Sequence, residues 1–361
     1  MLARSWSLLN MQILSSTKKL LHSINLTFIE IAVLLIIVLL AHKVDFSVDY
    51  DSDFYFKKED IYYEYEASKQ IEKGENPYLK ILEGDMLEND KYVTQLPNYY
   101  NFLGFVKNTS DDNFSGFIER FRFILFLSQI IGGLFIFLIF KRQNRSFLGL
   151  CGAIIYVFNV WTLNSIIFLK QDVLAIGLLL IAFYFLGNSK YRILSYLFYG
   201  LSLGIKYIGI FAFPIFLLPK KGDKLTDKTF ALYILTLALV LIIPSIRYVV
   251  DDFSSFSRSI LFSVTRSPED SDVVYGYSSL LVEAPESYNE DAVLDKLTPR
   301  LPLFIVLALT VVLLITSKID KGTYLFLSLL VFAIFNPVIF PQYTTWIPPF
   351  ALFPLLNKEK P

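Results

Sequence analysis

Apolar and polar positions alternate in long blocks along this chain. Ten apolar runs stand at about 25–42, 121–140, 147–166, 172–187, 193–206, 208–219, 230–247, 301–316, 323–336 and 343–356. A helix needs about 20 mostly apolar residues to cross the hydrocarbon core of a bilayer, so the pattern predicts an all-α polytopic membrane protein with about ten transmembrane helices. The fourth to sixth runs and the ninth are short, which predicts half-helices or tilted pieces. Pro214, Pro244, Pro337 and Pro341 fall where such breaks are tolerated if protein or a water-filled cavity covers the freed backbone.

Two polar stretches interrupt the apolar ones, Val44–Glu119 and Tyr248–Arg300. In the first, Tyr62, Tyr65 and Ile71 alternate with Glu64, Glu66, Lys69, Glu72 and Lys73. This reads as an amphipathic helix from Asp60 that stops at Gly74, with Pro77 barring its continuation. Asp60 would sit in the first turn, where the helix dipole favours a carboxylate, and the helix would lie along the membrane surface. In the second, Phe253, Phe256, Ile260 and Leu261 fit another interfacial helix carrying Arg258 and leading towards Arg266.

Composition agrees with a membrane chain: 361 residues, 54% hydrophobic, mean hydropathy +0.51. The formal charge balances at 33 basic against 33 acidic residues, so nothing global points to nucleic acid, and the information lies in where the charges fall. With the N-terminus inside, the predicted cytoplasmic pieces hold 16 Lys and Arg against four acids. Val44–Glu119 has 17 acids and seven lysines, and Tyr248–Arg300 ten acids and four basic residues, so both long loops are expected on the extracytoplasmic side with both termini cytoplasmic. Arg4, Lys18 and Lys19 before the first run resemble a signal sequence without a small-residue cleavage site, which predicts an uncleaved first span. The chain is expected to form a single membrane domain over 1–361, with 44–119 as the catalytic loop and 248–300 as a second exterior loop.

The single cysteine, Cys151, excludes an internal disulfide. His22 and His42 are the only histidines, which argues against a His-based zinc site or a Ser-His-Asp triad. No Gly-rich phosphate loop or Walker-type lysine is evident. Two ionisable groups fall inside apolar runs, Glu30 in the first and Lys206 between two half-spans. Such a cation costs about 2.5–3.5 kcal/mol on insertion scales unless it finds a partner or water, leaving two readings of Lys206: a site cation, or a structural ion pair with an acid such as Asp172. Gln171 and Asp172 form the exterior turn between the third and fourth runs, beside the first loop or as a plain helix cap. Arg258 and Arg266 could grip a phosphate through the planar guanidinium fork; lipid headgroups or neighbouring acids are the competing partners. Tyr343 and Trp346 suit an interfacial aromatic belt as well as a site.

A spaced motif adds to this reading. Asp60, Tyr65, Ala67, Ser68, Gly74, Pro77 and Tyr78 stand at the spacing D-x-x-x-x-Y-x-A-(A/S)-x(5)-G-x-x-P-Y, followed by Leu96-Pro97-Asn98-Tyr99-Tyr100 and, near the end, by Gln342-Tyr343-x-x-Trp346-x-x-Pro349. The pattern resembles the GT-C glycosyltransferases, notably the prokaryotic polyprenyl-phosphate-mannose-dependent mannosyltransferases and the first mannosyltransferases of GPI-anchor assembly. Gly276–Leu280 is similar to a Ser-Leu element of the same families.

The resemblance implies a GT-C-like bundle and an inverting transfer of a hexose, mannose foremost, from a polyprenyl-phosphate donor to an acceptor hydroxyl on a lipid-linked glycan, a glycolipid or a protein. It implies Asp60 as the base, Lys206 as a phosphate ligand beside the candidates Arg258 and Arg266 read from their chemistry, and Tyr65, Tyr78, Gln171, Asp172, Gln342 and Tyr343 as substrate contacts. The expected location is a cell membrane, or the endoplasmic reticulum in a eukaryote, with membrane lipid as a further partner. No cofactor is certain; a divalent cation is compatible, but where the GPI enzymes carry Asp-x-Asp the first member here is Lys58. A transporter or flippase for lipid-linked sugars is the alternative; it would show paired halves and midplane charges rather than a long acidic loop. An O-antigen-type polymerase or ligase would carry its working loop late in the chain.

Overall fold

The computed structural model describes residues 28–47, 56, 59–79, 93–110, 113–218, 227–265, 298–336 and 341–356. Among these there are helices and turns and no strand, as the apolar periodicity predicts. The chain divides into two compact units, Met1–Ser47 and Val48–Pro361. The first holds helix α1, residues 28–45, three residues later than the run at 25–42 suggests. Most of its apolar side chains are exposed, Phe28, Leu35 and Leu39 among them, as expected of a helix immersed in lipid.

The second unit contains α2 (Asp60–Glu72), α3 (Pro97–Asn108), α4 (Phe114–Lys141), α5 (Ser146–Val157), α6 (Val160–Ile167), α7 (Asp172–Leu186), α8 (Arg192–Ile205), α9 (Phe213–Leu217), α10 (Asp227–Leu237), α11 (Ile243–Asp251), α12 (Phe253–Thr265), α13 (Leu301–Ile315) and α14 (Lys321–Phe335). Two helices are long and apolar enough to cross a bilayer alone, Phe114–Lys141 and the continuous stretch Thr229–Asp251. The pair α5 and α6, bent by 45°, forms a third if taken as one broken span. These long apolar helices make the protein an integral membrane protein, but a count of ten spans does not follow. The 15 residues of α7 reach only about 22 Å at 1.5 Å per residue, short of the roughly 30 Å hydrocarbon core.

Besides the bent pair α5 and α6, two predicted spans are not continuous helices. The run at 208–219 is a 3₁₀ segment, Tyr207–Ala212, followed by the five residues of α9, and Pro214 starts the latter because its missing N–H is harmless in a first turn. The run at 343–356 breaks into three 3₁₀ turns, Pro341–Trp346, Pro348–Phe350 and Phe353–Leu355. Pro348, Pro349 and Pro354, with Pro341 just before the run, remove donors an α-helix would need there. Their backbone is covered by protein: Phe350 and Phe353 are buried, and the Arg145 guanidinium donates to the Leu355 carbonyl.

Small residues set how closely the helices approach. A Cβ on Gly132 of α4 would stand 2.6 Å from the Tyr156 ring of α5, and one on Gly149 would stand 2.9 Å from the Phe137 carbonyl. This is close packing of the kind helices use in lipid, where apolar burial alone does not drive association. Between α7 and α8, Ser195 donates to the Ala182 carbonyl and Ser202 to the Ala175 carbonyl, both at 2.8 Å.

Pro244 shows how a break is absorbed. Without an N–H it cannot bond the Val240 carbonyl four residues back, and its ring would press on that oxygen. The helix widens to a π-turn at Ala238–Ile242 just before it, and the Val240 carbonyl accepts from Asn98 Nδ2 at 2.8 Å. Asn98 belongs to the run Leu96–Tyr100, so this bond ties the first polar stretch to the Thr229–Asp251 span. We expect Asn98→Ala to destabilise the folded protein by about 1–2 kcal/mol, the cost of an orphaned carbonyl. In a Pro244→Ala background, where residue 244 regains its N–H, the same change should cost less than half as much, a coupling that a double-mutant cycle of thermal unfolding measures directly.

Candidate functional site

The loop sequence Gln171-Asp172 decides the site's floor. Helix α6 ends at Ile167, Leu169 takes a left-handed φ of +56°, and α7 begins at Asp172. A non-glycine residue in this conformation costs free energy that the surroundings must offset, and Leu169 is buried, which holds it there. The turn presents Lys170, Gln171 and Asp172 in succession.

Asp172 is fully buried at the N-terminus of α7, where the free N–H groups and the helix dipole favour a negative charge. Its Oδ1 accepts from Trp346 Nε1 at 2.6 Å, and its Oδ2 lies 3.9 Å from Lys206 Nζ without a hydrogen-bond partner. Trp346 stacks on Phe332 at 5.2 Å and 16°, with Tyr343 4.8 Å away. It is 4% exposed, so it is a buried donor and not part of an aromatic belt. The turn that carries it is pinned by Thr345, whose Oγ1 bonds the Trp161 carbonyl at 3.1 Å and Ser165 Oγ at 2.8 Å.

Helix α2 forms the opposite side. Asp60 is its first residue, and its Oδ2 accepts from Lys170 Nζ at 2.7 Å; Glu59 Oε2 lies 3.9 Å from the same ammonium. One turn on, Glu64 accepts from Tyr99 OH at 2.6 Å and from Gln171 Nε2 at 3.5 Å. Burial, and next the Asp60 carboxylate, push the Glu64 carboxyl up to about 7, against the pull of Tyr99, Lys206 and Lys170. Burial first and Glu64 second also hold the Tyr99 phenol far above its ordinary value, so it remains a donor. Burial works to lower the Lys170 ammonium, but Asp60, Glu59 and Glu64 outweigh it and raise it, so this cation stays charged.

Of the residues expected from sequence, Asp60, Gln171, Asp172 and Lys206 come together, and the charge of Lys206 senses Tyr343, Glu64 and Asp60 as well as Asp172. Lys206 leaves the end of α8 in extended backbone at the break before the 3₁₀ segment. Gln342 is half-buried in the turn that carries Trp346. Tyr65 lies in the packed interior against Phe117 and Phe114, and Tyr78 is fully buried, its hydroxyl donating to the Gln95 carbonyl at 2.8 Å. Arg258 is exposed on α12, with Asp252 as a charged neighbour. Arg266, Lys58 and Gly276–Leu280 lie outside the described residues.

Two members of the cluster were not anticipated. Lys170 immediately precedes the Gln171-Asp172 pair, and its ammonium on an otherwise apolar approach was the available signal. Glu64 is placed on the polar face by the alternation along α2, yet it turns inward. Its i, i+4 relation to Asp60 was the sign that both carboxylates share one face. Among the described residues no group of three or more His, Cys, Asp or Glu side chains is placed to hold a metal ion. One charged partner of Asp60 is the Lys170 ammonium, which is not a ligand of the paired-aspartate kind.

The Glu64 carboxyl sets a pH dependence. Because its folded value of about 7 exceeds the ordinary 4.5, the folded state binds more protons between these limits, and stability falls as pH rises through that window. Glu64→Gln should therefore raise the thermal midpoint at pH 8 by a few degrees, with about 2–4 °C per kcal/mol as the scale, and leave it nearly unchanged at pH 4.5. A scan of unfolding against pH for both proteins reads the difference.

No family model matches the chain. Over 305 residues it is 25% identical to GPI mannosyltransferase 1 of Candida albicans, an alignment that covers 78% of this chain and 70% of that protein. The likeness to the GT-C glycosyltransferases carried by the motifs therefore extends along most of the chain.

Proposed function

We propose that the protein is an inverting GT-C glycosyltransferase that moves a hexose, mannose foremost, from a polyprenyl-phosphate donor to the hydroxyl of a lipid-linked glycan, glycolipid or protein at the extracytoplasmic face. The observation that carries this reading is the convergence of Asp60, Lys170, Asp172 and Lys206, drawn from three separate places in the chain, into one cluster of alternating charge. The likeness to a mannosyltransferase supports the choice of sugar.

In this reading the Asp60 carboxylate accepts the proton of the acceptor hydroxyl. The acceptor oxygen forms its bond to the anomeric carbon from the face opposite the phosphate, and the bond from that carbon to the phosphate oxygen breaks. The electron pair leaves with polyprenyl phosphate, whose growing charge is met by Lys206. That ammonium stands 3.9 Å from Asp172, beyond hydrogen-bond reach of it, and so keeps donors to offer a phosphate. Lys170 donates to Asp60 Oδ2 and so fixes the orientation of the carboxylate. A positioned base contributes about 10²–10⁴ in rate, and preorganised cations stabilise the leaving charge. No step is assigned to a metal. Arg258 and Arg266 are proposed as supplementary phosphate ligands, Gln171, Asp172, Gln342 and Tyr343 as groups that orient sugar or phosphate, and Tyr65 and Tyr78 as the packing that fixes α2.

Purified protein given radiolabelled polyprenyl-phosphate mannose and a membrane lipid extract should transfer label, and Asp60→Asn should lower turnover at least about 10²-fold. Unchanged turnover in that variant removes Asp60 as the base. Lys206→Ala should weaken use of the donor more than protein yield, whereas equal losses in both assign Lys206 to structure.

A further inference from the structure

At the far end of α2 from Asp60, about 20 Å away by helix rise, lies a second feature that the transfer reaction does not use. Gly74 (φ +83°), Asn76 and Leu79 of the exterior loop and Ile246, Arg247, Val250 and Asp251 of α11 enclose an open cavity of about 620 Å³. Because α11 is the last part of the Thr229–Asp251 span, this cavity stands where a span of that length meets the headgroup layer. Its apolar members are exposed, Val250 at 79%, Leu79 at 51% and Ile246 at 48%, so acyl chains have a surface to follow.

Arg247 and Asp251 are one helical turn apart and both exposed. Arg247 donates to the Gly74 carbonyl, and Asp251 accepts from Asn76 Nδ2. These bonds orient both groups without exhausting them: a guanidinium has five N–H donors and a carboxylate about four acceptor sites. A fixed cation and a fixed anion beside exposed apolar surface at headgroup depth complement a ligand that carries phosphate and ammonium together. We propose that this cavity binds the headgroup of a membrane phospholipid bearing both a phosphate and a protonated primary amine, with Arg247 on the phosphate, Asp251 on the amine, and Ile246, Val250 and Leu79 along the acyl chains. The site lies between the exterior loop and the span, so the bound lipid ties the two together.

Native mass spectrometry of the full chain, released from detergent micelles doped with equal amounts of phosphatidylethanolamine and phosphatidylglycerol, tests this without any turnover and so separately from the transferase reading. Wild type should retain phosphatidylethanolamine about tenfold over phosphatidylglycerol, the scale of one charge-assisted hydrogen bond. Asp251→Asn should bring the ratio to within twofold, Arg247→Gln should lose both lipids, and Asp251→Glu should restore the preference. Val250→Trp, at a largely exposed position, should block retention while the thermal midpoint stays within a few degrees of wild type. A wild-type ratio near one, variants that keep the wild-type ratio, or displacement of the lipid by an equal concentration of free phosphoethanolamine would overturn the proposal.

Discussion

A carboxylate without access to water has to be matched by its surroundings, and Asp172 is the group on which this site depends. Its burial would be costly unpaired. The start of α7 supplies its dipole, Trp346 a hydrogen bond and Lys206 a counter-charge. Each comes from a different part of the chain, so satisfying one charge brings the turn between α6 and α7, the end of α8 and the proline-rich segment around Trp346 to one place. The 3.9 Å gap to Lys206 leaves that pair incompletely satisfied, which is the condition of a cation with bonds still to offer.

The segment that carries α2 rests on this arrangement through Lys170 and Gln171. They reach from the same turn to Asp60 and Glu64, so the position of α2 is tied to the bundle by an ion pair and a hydrogen bond. Tyrosines complete the attachment. Tyr99 bonds Glu64, Tyr78 and Tyr207 donate to the Gln95 and Thr94 carbonyls, and Tyr100 OH accepts from the backbone N–H groups of both residues. The tyrosine-rich character of the loop is thus explained by satisfied backbone: phenols take the place of a sheet or helix partner for an extended segment near the membrane.

Irregular backbone follows a recurring rule. At four breaks among the described residues a side chain covers a freed carbonyl: Asn98 at Val240, Gln129 at Val157, Lys321 at Ile215 and Leu218, and Arg145 at Leu355. Water cannot do this in the hydrocarbon layer, so these polar residues permit the short and broken helices that bring the site residues together.

The class of molecule was legible from hydrophobic periodicity, because twenty-residue apolar runs have few stable solutions other than membrane helices. The helix from Asp60, its stop at Gly74, and the need of Lys206 for a partner such as Asp172 were legible for similarly local reasons: a dipole, a positive φ, and a charge too costly to leave among apolar neighbours. What only the tertiary structure decided was which charges meet. The cluster contacts of Lys170 and Glu64, the inward turn of Trp346, the interior positions of Tyr65 and Tyr78, and the collapse of the last apolar run into 3₁₀ turns all depend on partners outside the local sequence pattern. A linear pattern records which groups need a partner, and only the fold determines which partner each one finds.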